Sequence, residues 1–353
     1  MGIGKYKVKT INNDFLVREI FLQPVFSSLK KSKYSFLWIE KSGFTTFQAE
    51  ERICDFFKIN LEDINCQGLK DEDAITQQVI SIKRIINDKK ARAFNNCHAK
   101  KKNYVKINNI MGYGKDPVIE RNLHGNCFEI TVRNLSKALC EKIHDYCNDK
   151  RSIPFINYYD KQRFGMAGGP YNTHLIGRAI IDRNTKKALG ELSKTKNARD
   201  IKGFSGMMIE KVSFGDLVSA IGLNKISFFI NSYNSMLWNK EALKAIARGN
   251  RCIKKKFEGV GTLYLPENSD FIAPQKISSK SYALNFSNLK IKEKIKGRSL
   301  AVQTTIYVLG FGKDKIYKSR YCITLSFFLP TGCYATMFID QLIALVVKKN
   351  DKE

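Results

Sequence analysis

Apolar and polar residues along the first half of the chain follow two different periods. Apolar positions alternate around a polar Asn-Asn-Asp turn in residues 5–22, which predicts β-strands, and the stretch YSFLWIEKSG predicts another strand that ends at Gly43. The stretch TTFQAEERICDFFKI has helical spacing behind a threonine cap, and SKALCEKIHDYCND has it behind a serine cap. Because strands and helices are mixed along the chain, the predicted fold class is α+β.

The second half of the chain changes pattern several times. Glycines and a proline cluster near Gly165, which predicts a hinge and therefore a domain boundary. Helical spacing follows, including NSYNSMLWNKEALKAIARG, and then a lysine-rich stretch of low pattern at 276–298. Further on, IYKSRYCITLSFFLP predicts a strand, which a tight Pro-Thr-Gly turn joins to an amphipathic helix, YATMFIDQLIALVV.

Charge is the most unusual property of the composition. The 353 residues include 60 lysines and arginines against 33 aspartates and glutamates, a formal net charge of +27. Solubility alone asks for a net charge of only about 2–8. The surplus therefore favours a polyanionic partner, with RNA or DNA first and an anionic membrane second. The alternative is that abundant lysine, asparagine and isoleucine reflect codon usage in the genome.

Cysteine usage and hydropathy narrow the class of protein. The nine cysteines are scattered without any C-x-x-C pair, which argues against a disulfide framework or a zinc ribbon. Cys140, His144 and Cys147 share a helix face, but no fourth ligand is spaced nearby, so no metal site is predicted. No apolar run approaches the roughly 18 residues of a membrane span. MGIGKYKVKT lacks the apolar core of a signal peptide, and we expect a cytoplasmic protein.

The stretch CQGLKDEDAITQQ places Lys70, Asp71, Glu72 and Asp73 side by side after a glycine and a leucine. One interpretation is structural: an aspartate that caps, or lies in the first turn of, a helix beginning at AITQQ. Spacing alone favours this interpretation. The other is chemical, because a neighbouring cation such as Lys70 keeps a carboxylate ionised at neutral pH. An ionised Asp71 can act as a nucleophile or a base.

Two further stretches carry candidate binding residues. IPFINYYDKQRFGMAGG combines Tyr158 and Tyr159 with Gln162 and Arg163. Aromatic rings stack a splayed nucleobase while polar groups bind its edge, although a tyrosine-rich core edge fits the pattern equally well. LPTGCYATMFIDQ puts Tyr334 just past a turn, where its ring can line a pocket. The stretch VLGFGKD is neither a dinucleotide fingerprint nor a P-loop.

These stretches together resemble the TruD family of tRNA pseudouridine synthases, in the same order and over most of the chain. NDFLVREI resembles the family's D-F-x-V-x-E, and FLWIEKSGFTT resembles its strand and turn before the first helix. GLKDEDAITQQ resembles G-x-K-D-x-x-A-x-T-x-Q, which carries the catalytic aspartate. LHGNCFEITVRN, NYYDKQRFG, SYNSMLWN and LPTGCYATMFID resemble H-G-N-x-F-x-I-x-x-R, N-Y-F-x-x-Q-R-F-G, S-Y-x-S-x-x-W-N and L-P-x-G-x-Y/F-A-T.

The resemblance implies roles for particular residues. Asp71 takes the place of the catalytic aspartate, with Lys70 beside it. Tyr159 stands where the family usually has a phenylalanine near the target base; tyrosine also stacks, so this departure bears on base geometry. The RNA- and base-binding positions implied are Phe15, Lys70, Asn157, Tyr159, Gln162, Arg163 and Tyr334.

The resemblance also implies a fold and a reaction. It implies a catalytic domain of mixed β-sheet flanked by helices, at 1–171 and 313–353, with an inserted α/β TRUD-type domain at 172–312. The implied enzyme is an isomerase that converts a uridine of tRNA, uridine-13 of glutamate tRNA, to pseudouridine without a cofactor. The expected partner is tRNA, with neither DNA nor membrane, and the expected state is a monomer.

Two alternatives from other classes stay open. The first is a catalytically inactive RNA-binding or RNA-chaperone protein with the same fold. The second is another RNA-modifying enzyme, such as a methyltransferase, which needs a cofactor pocket. The sequence has no glycine-rich strand-to-helix signature for such a pocket.

Overall fold

A computed structural model describes residues 6–22, 26–99, 102–119, 122–165, 169–195, 212–248, 252–266, 275–285 and 288–348. The chain divides into two compact units. The first unit comprises Met1–Ile153 and Thr304–Gly332, and the second comprises Pro154–Gln303 and Cys333–Glu353. The domain boundaries expected from the sequence stay a prediction, and the hinge near Gly165 falls largely on residues 166–168, outside the described ranges.

The first unit is built on a large mixed sheet. Its elements are β1 (Phe15–Phe21), β2 (Tyr34–Ser42), α1 (Thr46–Phe57), β3 (Ile64–Cys66), β4 (Ile75–Ile82), α2 (Asp88–His98), β5 (Tyr104–Gly114), β6 (Leu123–Leu135), α3 (Lys137–Asp149), the start of β7 (Ser152–Ile156), most of β12 (Ala301–Lys313) and β13 (Tyr321–Pro330). The strand order within this unit is β5-β2-β4-β1-β6-β13-β12, with β3 pairing to β4. β1 runs parallel to β4, whereas β1 and β6, β2 and β4, and β6 and β13 are antiparallel. The predicted α+β class is confirmed.

Helices α1 and α2 cover one face of this sheet. Side chains from β2, β4 and β5 form a buried cluster with them, which includes Leu37, Ile53, Ile80, Phe94 and Val105. Burial of such apolar surface, at roughly 25 cal/mol per Å², is the main stabilising contribution. The α1 helix begins where the sequence predicts. The Thr45 hydroxyl accepts from the Gln48 N–H at 3.2 Å, and the Gln48 side-chain oxygen accepts from the Thr45 N–H at 2.9 Å, so the two residues form a capping box.

The predicted helix at AITQQ is wrong, because this stretch begins strand β4. The strand is rich in β-branched residues, such as Ile75, Thr76 and Val79, and it lies between β1 and β2 with most of its side chains buried. Strands buried on both faces do not show the simple alternation of a surface strand. Glu72 and Asp73 are therefore charges on a turn before a strand, and their interpretation as helix-start charges is wrong as well.

The second unit is helical first and strand-rich later. Its elements are the end of β7, α4 (Thr173–Ile181), α5 (Thr185–Leu192), α6 (Phe214–Ile221), α7 (Leu223–Ala247), β8 (Cys252–Phe257), β9 (Gly261–Pro266), β10 (Lys276–Asn285), β11 (Lys290–Ser299), the start of β12 and α8 (Ala335–Lys348). The lysine-rich stretch 276–298 is an antiparallel hairpin of β10 and β11, in register from Lys276 opposite Ser299 to Asn285 opposite Lys290. The sequence did not predict this hairpin.

Helix α7 takes part in two hydrophobic clusters of the second unit. Its first half packs with α4, α5 and α6, and its second half packs with β8, β9 and α8. A Cβ atom at Gly177 of α4 would lie 2.0 Å from the carbonyl oxygen of Phe229, so the two helices approach each other backbone to backbone. Within the described residues, no helix is both long enough and apolar enough to cross a membrane.

Candidate functional site

Asp71 lies in the turn that leads into β4, and its side chain is 43% exposed. Its carboxylate forms a short ion pair with the ammonium of Lys9. The same ammonium lies 4.3 Å from the centre of the Phe15 ring. Phe15 itself is buried and meets Phe128 edge to face at 6.1 Å. Lys9 therefore brings together two of the predicted residues, Asp71 and Phe15, above a buried aromatic pair.

Lys41, near the end of β2, binds the backbone of this turn through its side chain. Its fully buried ammonium donates to the carbonyl oxygens of Asp71 at 2.7 Å, Phe44 at 2.8 Å and Lys70 at 3.3 Å. The hydroxyl of Thr46 accepts from the Lys70 N–H at 2.8 Å. Burial lowers the pKa of Lys41 to about 8, and the charge of Asp71 opposes this effect.

Lys70 does not pair with the Asp71 carboxylate, as the sequence suggests, but with Glu19. Its ammonium pairs with Glu19 at 2.5 Å, and both side chains are almost wholly buried. The other oxygen of Glu19 accepts from the Val79 N–H at 2.9 Å. Burial raises the pKa of Glu19, and the ion pair with Lys70 counteracts it. The cation that contacts the Asp71 side chain is thus Lys9, and Lys70 links the turn to β1.

The second unit holds an aromatic cluster around Tyr159. Asn239 of α7 fixes the tyrosine backbone: its carboxamide accepts from the Tyr159 N–H at 2.9 Å and donates to the Tyr159 carbonyl at 3.0 Å. The Tyr159 ring meets Trp238 and Tyr334 edge to face, at 5.8 Å and 6.1 Å between ring centres. Tyr158, by contrast, is a core residue, fully buried and bonded to the Tyr264 carbonyl.

Arg298 joins two predicted residues of this cluster, Asn157 and Tyr159. Its guanidinium carbon lies 4.0 Å from the centre of the Tyr159 ring. One terminal nitrogen donates to the Asn157 side-chain oxygen at 2.6 Å and to the Asn157 carbonyl at 2.9 Å. A guanidinium plane offers stacking and several donors at once, which a lysine does not. Sequence reasoning missed Arg298, because it belongs to the lysine-rich stretch whose pattern shows no motif.

A small cavity of about 50 Å³ opens beside this cluster. Its lining combines aromatic, cationic, amide and hydroxyl side chains: Tyr159, Arg163, Asn231, Asn234, Ser235, Trp238, Ser279, Ser281, Lys296 and Arg298. These lining residues include three cations and no acidic side chain, so the cavity favours an anionic group.

The remaining predicted residues differ in their surroundings. Arg163 lines the cavity and donates to the Ser235 hydroxyl at 3.0 Å. Tyr334 lies beside Tyr159, and burial raises its pKa to about 12 although Arg163 and Arg298 oppose the rise. Gln162 lies on a short 3-10 helix with an exposed side chain, outside the cavity lining. The predicted residues thus form two groups, one in each unit.

Side chains that can bind metals are dispersed over the described part of the chain. Among those residues there is no cluster of three or more histidine, cysteine, aspartate or glutamate side chains that is arranged to hold an ion. Cys140 and Cys147 are buried, and burial raises their pKa values to about 11 and about 12. They are therefore protonated thiols of the α3 core face at neutral pH.

Comparison with known proteins gives one consistent result. The family model for tRNA pseudouridine synthase D (TruD) matches residues 2–205. A Leptospira interrogans tRNA pseudouridine synthase D is 23% identical over 97% of both chains. A Syntrophotalea carbinolica protein of the same name is 29% identical over 54% of this chain and 44% of its own length, so that alignment spans less than half of the relative. A Methanosarcina mazei protein, solved as a candidate tRNA pseudouridine synthase D, shares the fold with a TM-score of 0.60 at 20% identity, over 98% of this chain and 94% of its own.

Proposed function

The chain belongs to the TruD family of tRNA pseudouridine synthases, and we propose that it isomerises a uridine of tRNA to pseudouridine with Asp71 as the catalytic residue. The reaction breaks the N1–C1′ glycosidic bond, turns the uracil and forms a C5–C1′ bond. The proton lost from C5 is balanced by one gained at N1. Nothing is oxidised and no group leaves the nucleotide, so the chemistry asks for no cofactor.

The proposal rests on the position of Asp71, whose side chain is exposed while its backbone is fixed. Its carboxylate is exposed on a turn whose backbone is fixed by buried bonds, and it contacts a cation. A carboxylate in that position can attack the sugar or the base, or accept a proton from the sugar. Each route needs the ionised form of Asp71 and is lost in the corresponding amide.

We assign RNA binding to the group around Tyr159. A uridine inside a helical stack must leave it before its glycosidic bond is accessible, at a cost of a few kcal/mol. Stacking of a base on an aromatic side chain contributes about 1–3 kcal/mol of binding free energy, which offsets part of this cost. Tyr159 and Tyr334 supply rings, with the buried Trp238 packed against Tyr159, while Arg163 and Arg298 supply cations for a phosphate. The net charge of +27 supports a polyanionic substrate.

Uridine-13 of glutamate tRNA is the substrate position that we propose. The test uses an unmodified glutamate tRNA transcript and purified protein with no added cofactor. Pseudouridine is mapped by carbodiimide treatment and primer extension, with wild type and Asp71→Asn compared. We expect a single stop at uridine-13 with wild type and none with the variant.

The same assay separates the alternatives. A stop at another uridine would refute the proposed position and keep the reaction. No stop in any tRNA, despite tight salt-sensitive binding, would refute the reaction and favour an inactive RNA-binding protein. A separate measurement of S-adenosylmethionine binding tests the methyltransferase alternative, and absence of binding would dismiss it.

A further inference from the structure

Lys41 is a buried cation whose partners are main-chain carbonyl groups. Its side chain has no exposed surface. An ammonium has three N–H donors and no acceptor, and here the three acceptors are the carbonyl oxygens of Phe44, Lys70 and Asp71. The donor capacity of the ammonium is therefore fully used. Burying a charge is costly unless such partners satisfy it, so the contact set fixes both the lysine and the segments it binds.

Two of those three carbonyls belong to Lys70 and Asp71. The ammonium thus determines the backbone on both sides of the Asp71 Cα atom. The third carbonyl, of Phe44, comes from the loop between β2 and α1, so Lys41 ties that loop to the acidic turn. The Gly43 N–H donates to the Glu72 carbonyl at 3.2 Å and adds a further link between the same two segments.

The charges that act on Lys41 come from two segments. Asp71 and Glu72 of the acidic turn favour its charged form, whereas Lys70 of that turn and Lys9 of the segment before β1 oppose it. Its direct cross-strand neighbours carry no charge: Thr76 on β4 and Val105 on β5. Burial is the largest influence and lowers the pKa of Lys41 to about 8, so the ammonium loses its proton within a pH range where the protein can be assayed.

We propose that Lys41 is a positioning residue of the reaction: its ammonium holds the Asp71 turn in the geometry that turnover needs. The inference rests on the proposed catalytic role of Asp71. A neutral amine has only two N–H donors and adds a lone pair. It therefore leaves one of the three carbonyls without a donor and places a lone pair near carbonyl oxygens. Loss of the proton removes the cost of burying the charge, which stabilises the fold as a whole, but it also removes one of the three bonds that position the turn at Asp71.

The experiment measures single-turnover rates of tRNA modification and tRNA affinity side by side. Wild type, Lys41→Met and Asp71→Asn are compared, over two pH units on either side of the lysine pKa of about 8. Methionine is an unbranched side chain one heavy atom shorter than lysine, and it has no donor. Lys83→Met is the matched control, because Lys83 lies in the same unit with a side chain that is 54% exposed and a 3.5 Å pair with Asp63. Circular dichroism and thermal melting establish that each variant is folded at each pH.

We expect Lys41→Met to lower the single-turnover rate by about 10–100-fold, as displacement of a reacting group by about 1 Å does. Its tRNA affinity and that of Lys83→Met should equal wild type. The wild-type rate should fall above pH 8, and the Lys41→Met rate should lack this fall. A purely structural lysine would change melting behaviour without giving the variant a different pH profile.

Three results would overturn the inference. One is a wild-type rate in Lys41→Met, another is an alkaline fall that persists in that variant, and the third is a wild-type rate that stays constant through pH 8 and above. The last needs no variant, so it decides the matter even if Lys41→Met does not fold. If Asp71→Asn turns over like wild type, the proposed function itself fails; if Asp71→Asn is inactive while Lys41→Met is normal, only this inference fails.

Discussion

The guanidinium of Arg298 stacks on the Tyr159 ring, with its central carbon 4.0 Å from the ring centre. It also lies 5.2 Å from the centre of the Trp238 ring. A hairpin that has no recognisable sequence pattern thereby contributes directly to the aromatic cluster. The contact also holds the Tyr159 ring in one orientation, since the same side chain is anchored on Asn157.

Replacing Arg298 should weaken tRNA binding more than the loss of one charge explains. Arg298→Gln removes the stacking contact and the bonds to Asn157, whereas Lys292→Gln removes the same charge from an exposed position on the same strand. We expect Arg298→Gln to raise the Kd about tenfold more than Lys292→Gln, because it also releases the Tyr159 ring and Asn157 from their fixed positions, so that binding has to order them. Filter binding at one salt concentration measures both, and equal losses would show that only charge matters at this position.

Asp71→Asn should remove turnover and leave tRNA affinity within about twofold, because the amide keeps the shape and loses the nucleophile or base. A loss of at least about a thousandfold in rate is expected for a residue that acts on the reacting atoms. Asp73→Asn is the matched control, since Asp73 is exposed in the same turn. Retained turnover in Asp71→Asn, or equal losses in both variants, would contradict the assignment.

tRNA affinity should fall steeply with salt. A protein that neutralises about 6–10 phosphates loses roughly 10³–10⁵ in affinity between about 50 and 200 mM salt, because bound counterions are released from the RNA. The plot of log K against log salt should therefore be linear with a slope of several units, as measured by fluorescence anisotropy with a labelled transcript. A flat plot would show that the charge of +27 reflects composition alone.

Two glycine substitutions in helices of the second unit should have opposite effects on stability. Gly190→Ala in α5 meets no atom within 4 Å, and it should stabilise by about 0.5–1 kcal/mol through helix propensity and a less flexible unfolded chain. Gly177→Ala in α4 would place its Cβ against the Phe229 backbone, and it should destabilise by about 1–3 kcal/mol. Urea titrations of both variants test the close approach of α4 and α7; stabilisation by Gly177→Ala would refute it.

Lys41 should also affect how stability depends on pH. Its pKa falls from 10.5 to about 8 on folding, so between these values the unfolded chain binds more protons than the folded one. Stability from this group therefore rises as the pH rises from about 8, by at most about 1.4 kcal/mol per pH unit. The difference in unfolding free energy between wild type and Lys41→Met isolates the effect. A difference that does not change with pH would mean that Lys41 keeps an ordinary pKa.

The sequence predicted those elements whose signals are local. The caps at Thr45 and Ser136 and the turn that precedes α8 involve residues a few positions apart, and the structure confirms all three elements. Strand β4 was misread, because its neighbours β1 and β2 bury both of its faces and so remove the alternation by which a strand is recognised. The order of the motifs identified the family correctly.

The candidate site was predictable in its motif residues and not in their partners. Lys9 contacts the Asp71 carboxylate, and the buried Lys41 binds the Asp71 carbonyl oxygen. The chain contains many lysines, and no local pattern in the sequence marks these two. Arg298 reaches Asn157 across 141 positions of sequence. Such contacts depend on how strands pair, which a single sequence specifies only through long-range packing.

Strand β6 lies between β1 and β13, and Thr131 of β6 meets Thr324 of β13 at 2.9 Å although the two are 193 positions apart. On the ribosome, at about 5–20 residues per second, β6 is therefore without its second neighbour for roughly 10–40 s. During that interval its unpaired edge is open to pairing with other chains. The nascent protein should depend on chaperones at that stage, and its yield should respond to translation speed through the roughly 190 codons between Thr131 and Thr324.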